Sequence, residues 1–149
     1  LENREEAEEA VQDAFVKMYR ALSDFHFDSK FSTWFYRIVY RTALTALRQQ
    51  RMFVSYEEAG PVDLSNDEVE SAILEREDRK EMIARTLKKL PADEALLLTL
   101  YYLEECSVEE ICQITELSAS NVKVKLFRGR KRFYEVLQDK MKLETADLL

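Results

Sequence analysis

Apolar positions near the start of the chain recur every three or four residues. Ala7, Val11, Ala14, Phe15, Met18 and Leu22 form one stripe, which predicts a helix ending near Ser23 with this stripe inward. The opposite face carries Glu9, Gln12, Asp13, Val16 and Arg20, so Val16 points outward among polar neighbours. A polar and aromatic connector, residues 24–33, has no strong period. Ser32 or Thr33 is placed to cap a second helix from Trp34 to about Arg51. There Trp34, Phe35, Ile38, Val39, Thr42, Ala43, Ala46 and Leu47 make a wide inward face, with Arg37, Tyr40, Arg41, Arg48 and Arg51 opposite.

The helical period is lost over residues 53–66, which hold the Gly-Pro pair and read as a linker. Ser65 and Glu68 have capping-box spacing and predict a new helix start. Val69, Ile73, Arg76, Ile83, Leu87 and Leu90 carry its period up to Pro91. Another helix is expected from Ala92 to about Glu104, with Leu96, Leu97, Leu100 and Tyr101 inward. Ser107 and Glu110 repeat the capping-box spacing ahead of a short helix ending near Ile114. Residues 115–117 then read as a turn, and Ser118 caps a longer helix, Ala119 to about Asp139, with Val122, Leu126, Phe133 and Leu137 inward. A short capped helix, a three-residue turn and a longer basic helix make a helix-turn-helix.

Such a motif needs a small residue where its helices cross, apolar anchors behind, and polar or basic side chains in front. Cys112 is the small residue; Ile111, Leu117, Val122 and Leu126 are the anchors. Helical spacing sends Ser120, Asn121, Lys123, Val124, Phe127, Arg128 and Lys131 outward. Asn and Arg can read base edges bidentately, while lysines mostly neutralise phosphates. Glu116 stands where the turn usually carries Gly, a substitution costing on the order of 1 kcal/mol if the backbone there is left-handed.

Composition narrows the class. With only 2 Gly and 2 Pro in 149 residues, an all-β sandwich lacks its turns, and the chain reads as all-α. Apolar runs fall well below the ~18 residues of a membrane span. Two cysteines and one histidine give no disulfide framework and too few soft ligands for structural zinc. Cys106 and Cys112 are expected as reduced packing residues of a cytoplasmic protein. His26 has no nucleophile or orienting group beside it, so neither catalysis nor a cofactor is expected. The chain opens on Leu1 instead of Met, as a piece of something longer would.

The net charge of −7 argues against nucleic acid until it is divided. Residues 30–53 carry 5 bases and no acid, and residues 111–142 carry 8 bases and 3 acids. Acid dominates elsewhere. Seven of the 16 aromatics fall between Phe25 and Tyr40, interleaved with His26, Lys30 and Arg37. Single-stranded bases stack on aromatic faces while their backbone follows positive charge, and both ingredients are present. Trp34, Phe35 and Phe31 are expected in the core, whereas Tyr36, Arg37, Tyr40 and Arg41 with the preceding loop are the better contact candidates.

Together these segments resemble bacterial sigma factors of the extracytoplasmic-function subgroup. Glu5-Glu-Ala-Glu-Glu-Ala-Val-Gln-Asp-Ala-Phe-Val-Lys-Met-Tyr-Arg20 resembles region 2.2, and Phe31-Ser-Thr-Trp-Phe-Tyr-Arg-Ile38 resembles regions 2.3 to 2.4. Leu90-Pro91 through Leu126-Phe-Arg-Gly-Arg-Lys-Arg132 resembles region 4. The resemblance covers about residues 5–137 in the family's order. It implies two small helical domains: 1–52 as region 2 with its first helix missing, 67–142 as region 4, the 53–66 linker between them and a 143–149 tail. Without that helix the first domain would show an exposed apolar face.

The resemblance also implies function. The face with Glu9, Gln12, Asp13 and Val16 would dock on a coiled coil of the polymerase β′ subunit. His26, Lys30, Tyr36, Arg37, Tyr40 and Arg41 would hold the melted −10 element. The second helix of the helix-turn-helix would bind the −35 element, and the same region would touch the β flap. Core RNA polymerase and promoter DNA are thus the implied partners, together with an anti-sigma factor as in many relatives. Tyr40, Arg41 and Thr45 depart from common family choices, which bears on −10 sequence preference. A conventional helix-turn-helix regulator on duplex operators is the alternative; it would not need the aromatic loop.

Overall fold

The computed structural model describes Leu1, residues 3–54 and residues 75–147. Most of the expected linker, the Ser65–Glu68 box, Val69 and Ile73 lie outside the described residues, as does the side chain of Arg76. All regular structure among the described residues is helical: α1 (Arg4–Ala21), α2 (Phe31–Val54), α3 (Glu75–Lys88), α4 (Ala92–Leu98), α5 (Val108–Thr115) and α6 (Ala119–Asp147). No described helix is long and apolar enough to cross a membrane. The chain divides into two compact units, one built on α1 and α2, the other on α3, α4 and α6.

In the first unit, the Asn3 side chain accepts from the Glu5 N–H at 2.9 Å and starts α1, with Glu5 and Glu6 favourably placed in its first turn. The buried line of α1 is made of small residues, Ala10 and Ala14, with Ala7 and Met18 half-buried. This corrects the expected stripe: Val11, Phe15 and Leu22 stand on its flank, 42–50% exposed. One neighbouring helix covers only part of an apolar stripe this wide, and α2 takes the alanine side, where backbones approach most closely. Phe15 still meets Phe35 across the pair, with ring centroids 5.0 Å apart.

The second helix begins three residues earlier than expected, because the Trp34 N–H already bonds the Lys30 carbonyl at 3.1 Å. Thr33 is therefore a buried helical residue instead of a cap. Of the expected inward face, Thr42 is buried and the others are half-buried.

In the second unit α3 ends at Lys88, two residues before the expected Leu90, in a turn closed by Lys89 and Leu90 N–H groups. Pro91 offers no N–H and pushes Leu90 out of helical conformation. After α4 the chain takes one π turn, Thr99–Leu103, in which the Glu104 N–H reaches back to the Thr99 carbonyl at 3.0 Å. This wider turn rotates the later side chains out of register. Leu97 and Leu100 stay buried, but Tyr101, expected inward, is exposed. The Cys106 N–H then bonds the Leu100 carbonyl at 2.9 Å, with Glu105 left-handed at φ 54°, a Schellman-type stop without glycine.

Within the second unit the helices pack most extensively between α4 and α6. Gly129 makes the close approach: a Cβ there would lie 3.3 Å from Cγ and Cδ1 of Leu98. Leu97, Ile111, Ile114 and Val122 are the largest fully enclosed side chains. Cys106 is buried, Cys112 is half-buried, and both are free thiols.

Candidate nucleic-acid interface

The helix-turn-helix is assembled by local hydrogen bonds that its sequence specifies. Ser107 Oγ accepts from the Glu110 N–H at 3.1 Å, and the Glu110 carboxylate accepts from the Ser107 N–H at 2.7 Å, a complete capping box. At the next start, Ser118 Oγ accepts from the Asn121 N–H at 3.2 Å. Between them Glu116 adopts φ 64°, so the turn is left-handed at the residue where glycine was missed. The second helix, α6, continues to Asp147, about two turns beyond the expected Asp139. Residues 140–147 contain no Gly or Pro to stop it.

All seven side chains expected to face outward from α6 do so. Ser120, Asn121, Lys123, Val124, Phe127, Arg128 and Lys131 are exposed, and Val122 and Leu126 are buried behind them. Three bases of α6 left out of that set, Lys125, Arg130 and Arg132, have intramolecular partners. Lys125 bonds Asp93, and Arg132 bonds Glu94 at 2.8 Å, both partners lying in the first turn of α4. Arg130 donates to the Tyr102 hydroxyl at 3.1 Å. The Lys125 ammonium, bonded to the Asp93 carboxylate, holds that carboxyl below its ordinary value of 3.8. One flank of α6 is thus neutralised by α4, and its outward face keeps Lys123, Arg128 and Lys131.

On the first unit, His26, Lys30 and Arg41 are exposed, and Tyr36, Arg37 and Tyr40 are half-buried along α2. The loop ahead of α2 is an aromatic cluster. Phe25 contacts Phe27, Trp34 and Phe31 at centroid distances of 4.7, 4.9 and 5.7 Å, and Phe31 stacks on Phe35 at 6.2 Å. Trp34 and Phe35 are half-buried, while Phe31, expected in the core, is exposed at 45%. Sequence reasoning did not single out Phe27. It is 84% exposed with φ 60°, so the loop holds this ring out to solvent. A left-handed non-glycine residue is the signal, and it is a signal of structure that side-chain periodicity does not carry.

The remaining face of α1 is polar and open: Glu9, Gln12, Asp13 and Val16 are all exposed. Asp13 pairs with Lys17 at 2.9 Å on its own helix. These side chains suit a protein partner of mixed polarity. Among the described residues no cluster of three metal-ligating side chains occurs.

Comparison with known proteins agrees with this geometry. Residues 1–52 match the family model described as Sigma-70 region 2, and residues 80–133 match Sigma-70, region 4. The chain is 33% identical over 132 residues to the ECF RNA polymerase sigma-E factor of Escherichia coli strain K12, covering 83% of this chain and 69% of that protein. It is 32% identical over 147 residues to the RNA polymerase sigma-H factor of Pseudomonas aeruginosa, covering 93% and 76%. The fold is shared with the sigma factor RpoE in its complex with the anti-sigma factor NepR from Bartonella quintana. That match has a TM-score of 0.75 and 20% identity, over 93% of this chain and 84% of that one. It is also shared with CnrH in complex with the cytosolic domain of CnrY, at TM-score 0.59 and 23% identity, over 92% and 74%.

Proposed function

The chain belongs to the sigma-70 family and is an extracytoplasmic-function sigma factor; on that footing we propose how its surfaces divide the work of transcription initiation. The chain binds core RNA polymerase in the cytoplasm and places it on promoters. It does no covalent chemistry itself: contacts to phosphates and bases select the site and stabilise melted DNA. Residues 1–52 act as region 2, residues 67–142 as region 4, and residues 53–66 join them.

The observation that carries this reading is the sorting of charge on α6. Lys125 and Arg132 are matched by acids of α4, whereas Asn121, Lys123, Arg128 and Lys131 face solvent. Arg128 and Asn121 read base edges of the −35 element, Ser120, Val124 and Phe127 complete that surface, and Lys123 and Lys131 neutralise phosphates. On the first unit, His26, Lys30, Tyr36, Arg37, Tyr40 and Arg41 hold the −10 strand, and the exposed Phe27 ring offers a platform for a base. Glu9, Gln12, Asp13 and Val16 meet the β′ coiled coil, and the region 4 unit meets the β flap. An anti-sigma factor, as NepR is to RpoE, would mask these faces.

Adding the full chain to core polymerase and measuring promoter-specific transcripts tests the reading. Specific initiation is expected, with little promoter affinity for the chain alone, since its acidic body repels free DNA. Duplex footprints by the chain alone, with no transcript from the mixture, would instead favour a conventional regulator.

A further inference from the structure

We infer that Tyr102 and Arg130 form a clamp for one DNA backbone phosphate on the flank of α6, a contact that rests on reading α6 as the DNA-binding helix. Three basic side chains of α6 have partners in the segment 93–102 ahead of it, and the three pairings differ in kind. Lys125 and Arg132 meet carboxylates, which cancel their charge. Arg130 meets a neutral phenol, at 3.1 Å, and keeps its full charge at an exposed position.

The bond also orients both groups. The guanidinium donates, so the Tyr102 oxygen accepts and its own O–H is left to donate elsewhere. Arg130 retains its remaining N–H groups in a planar fork. Two donors of this kind, one charged, converge on the chemistry of a phosphate oxygen pair. At about 100° per residue, Arg130 lies on the same strip of α6 as Lys123, seven residues and ~10 Å away, and next to Phe127. The clamp thus extends the outward face already described and stays apart from the flank tied to α4.

The backbone explains how Tyr102 comes to be there. The π turn Thr99–Leu103 rotates the chain past α4, and Tyr102 ends 51% exposed with its hydroxyl on Arg130. Tyr101 packs edge-on against its ring at 4.9 Å and limits its freedom. π turns of one residue's excess are frequent at functional sites because they re-aim a side chain.

The test uses holoenzyme assembled from core polymerase and the full chain, on a duplex that the wild-type holoenzyme selects from a randomised pool. Binding is measured across a salt series for wild type, Arg130→Gln, Arg130→Lys and Tyr102→Phe. Arg130→Gln should weaken binding several-fold on all sequences and lower the log–log salt slope by about 0.9, the loss of one phosphate contact. Arg130→Lys should keep the slope, and Tyr102→Phe should weaken binding with the slope unchanged. If Arg130→Gln leaves both affinity and slope intact while wild type binds, the clamp is wrong and the proposed function stands. Release of the chain from core polymerase by Arg130→Gln, with an unchanged DNA slope, would assign the pair to an acidic protein surface and overturn the clamp. Failure of the wild-type holoenzyme to select any duplex would sink both.

Discussion

The Glu94 carboxylate, on a residue only 5% exposed, accepts from the Arg132 guanidinium at 2.8 Å and so ties α4 to α6. Its second oxygen is buried with no hydrogen-bond partner. Removing the arginine therefore strands an acid that water cannot reach. Arg132→Met should destabilise the second unit by about 2 kcal/mol, below the cost of breaking a fully buried pair because the arginine itself is half-exposed. Glu94→Gln should cost less, since the amide oxygen still accepts. Urea unfolding of both variants and their double mutant measures the coupling.

Two left-handed glutamates bracket α5, Glu105 at φ 54° and Glu116 at φ 64°. A residue with a Cβ is strained there, and glycine is not, although glycine also gains entropy when unfolded. Glu105→Gly and Glu116→Gly should each raise stability, by roughly 0.5–1 kcal/mol, visible as a higher urea midpoint with an unchanged slope. Glu105→Val should lower it. A loss of stability in either glycine variant would mean that the glutamate side chain contributes more than its backbone strain costs.

These cases mark what the sequence could and could not convey. Both serine caps of the helix-turn-helix and all seven outward residues of α6 were legible, because capping and helical phase depend on neighbours within one or two turns. The α1 stripe was misphased at Val11, Phe15 and Leu22, because which part of a broad apolar face is covered depends on a partner helix distant in sequence. Tyr101 was misplaced because Thr99–Leu103 reads as ordinary helix, and an extra residue in a turn leaves no compositional mark. Glu94 looked like any first-turn acid; its burial is set by Arg132, 38 residues on.

The Asp93–Lys125 pair makes a small, signed contribution to pH dependence. Asp93's carboxyl titrates below its ordinary 3.8 in the folded chain, chiefly because the Lys125 ammonium bonds its charged form. A carboxyl with a depressed folded pKa stabilises the fold above its unfolded pKa, and that stability fades as pH falls through the folded value. The stability difference between wild type and Asp93→Asn should therefore be constant from neutral pH down to about pH 5, then shrink towards zero in stronger acid. Both side chains are partly exposed, so the plateau should stay within about 1 kcal/mol. Urea midpoints of the two proteins across pH check it, and a difference that grows on acidification would show that the sign is wrong.

Arg128 and Lys131 sit three residues apart on the exposed face of α6, yet their loss should have different signatures. Arginine can bond a guanine edge through two atoms, whereas a lysine point charge on a phosphate carries no sequence information. In holoenzyme on a selected promoter, Arg128→Ala should flatten discrimination at one −35 position by roughly 1–3 kcal/mol, and Asn121→Ala should do so at a neighbouring one. Lys131→Ala should instead weaken all sequences alike and reduce the salt slope by about 1. Competition binding on single-base variants of the −35 element, repeated at several salt concentrations, separates the two behaviours. If Arg128→Ala weakens every variant equally, then Arg128 grips the backbone and base reading passes to Asn121 and the apolar pair Val124 and Phe127, where the thymine methyl is the remaining target.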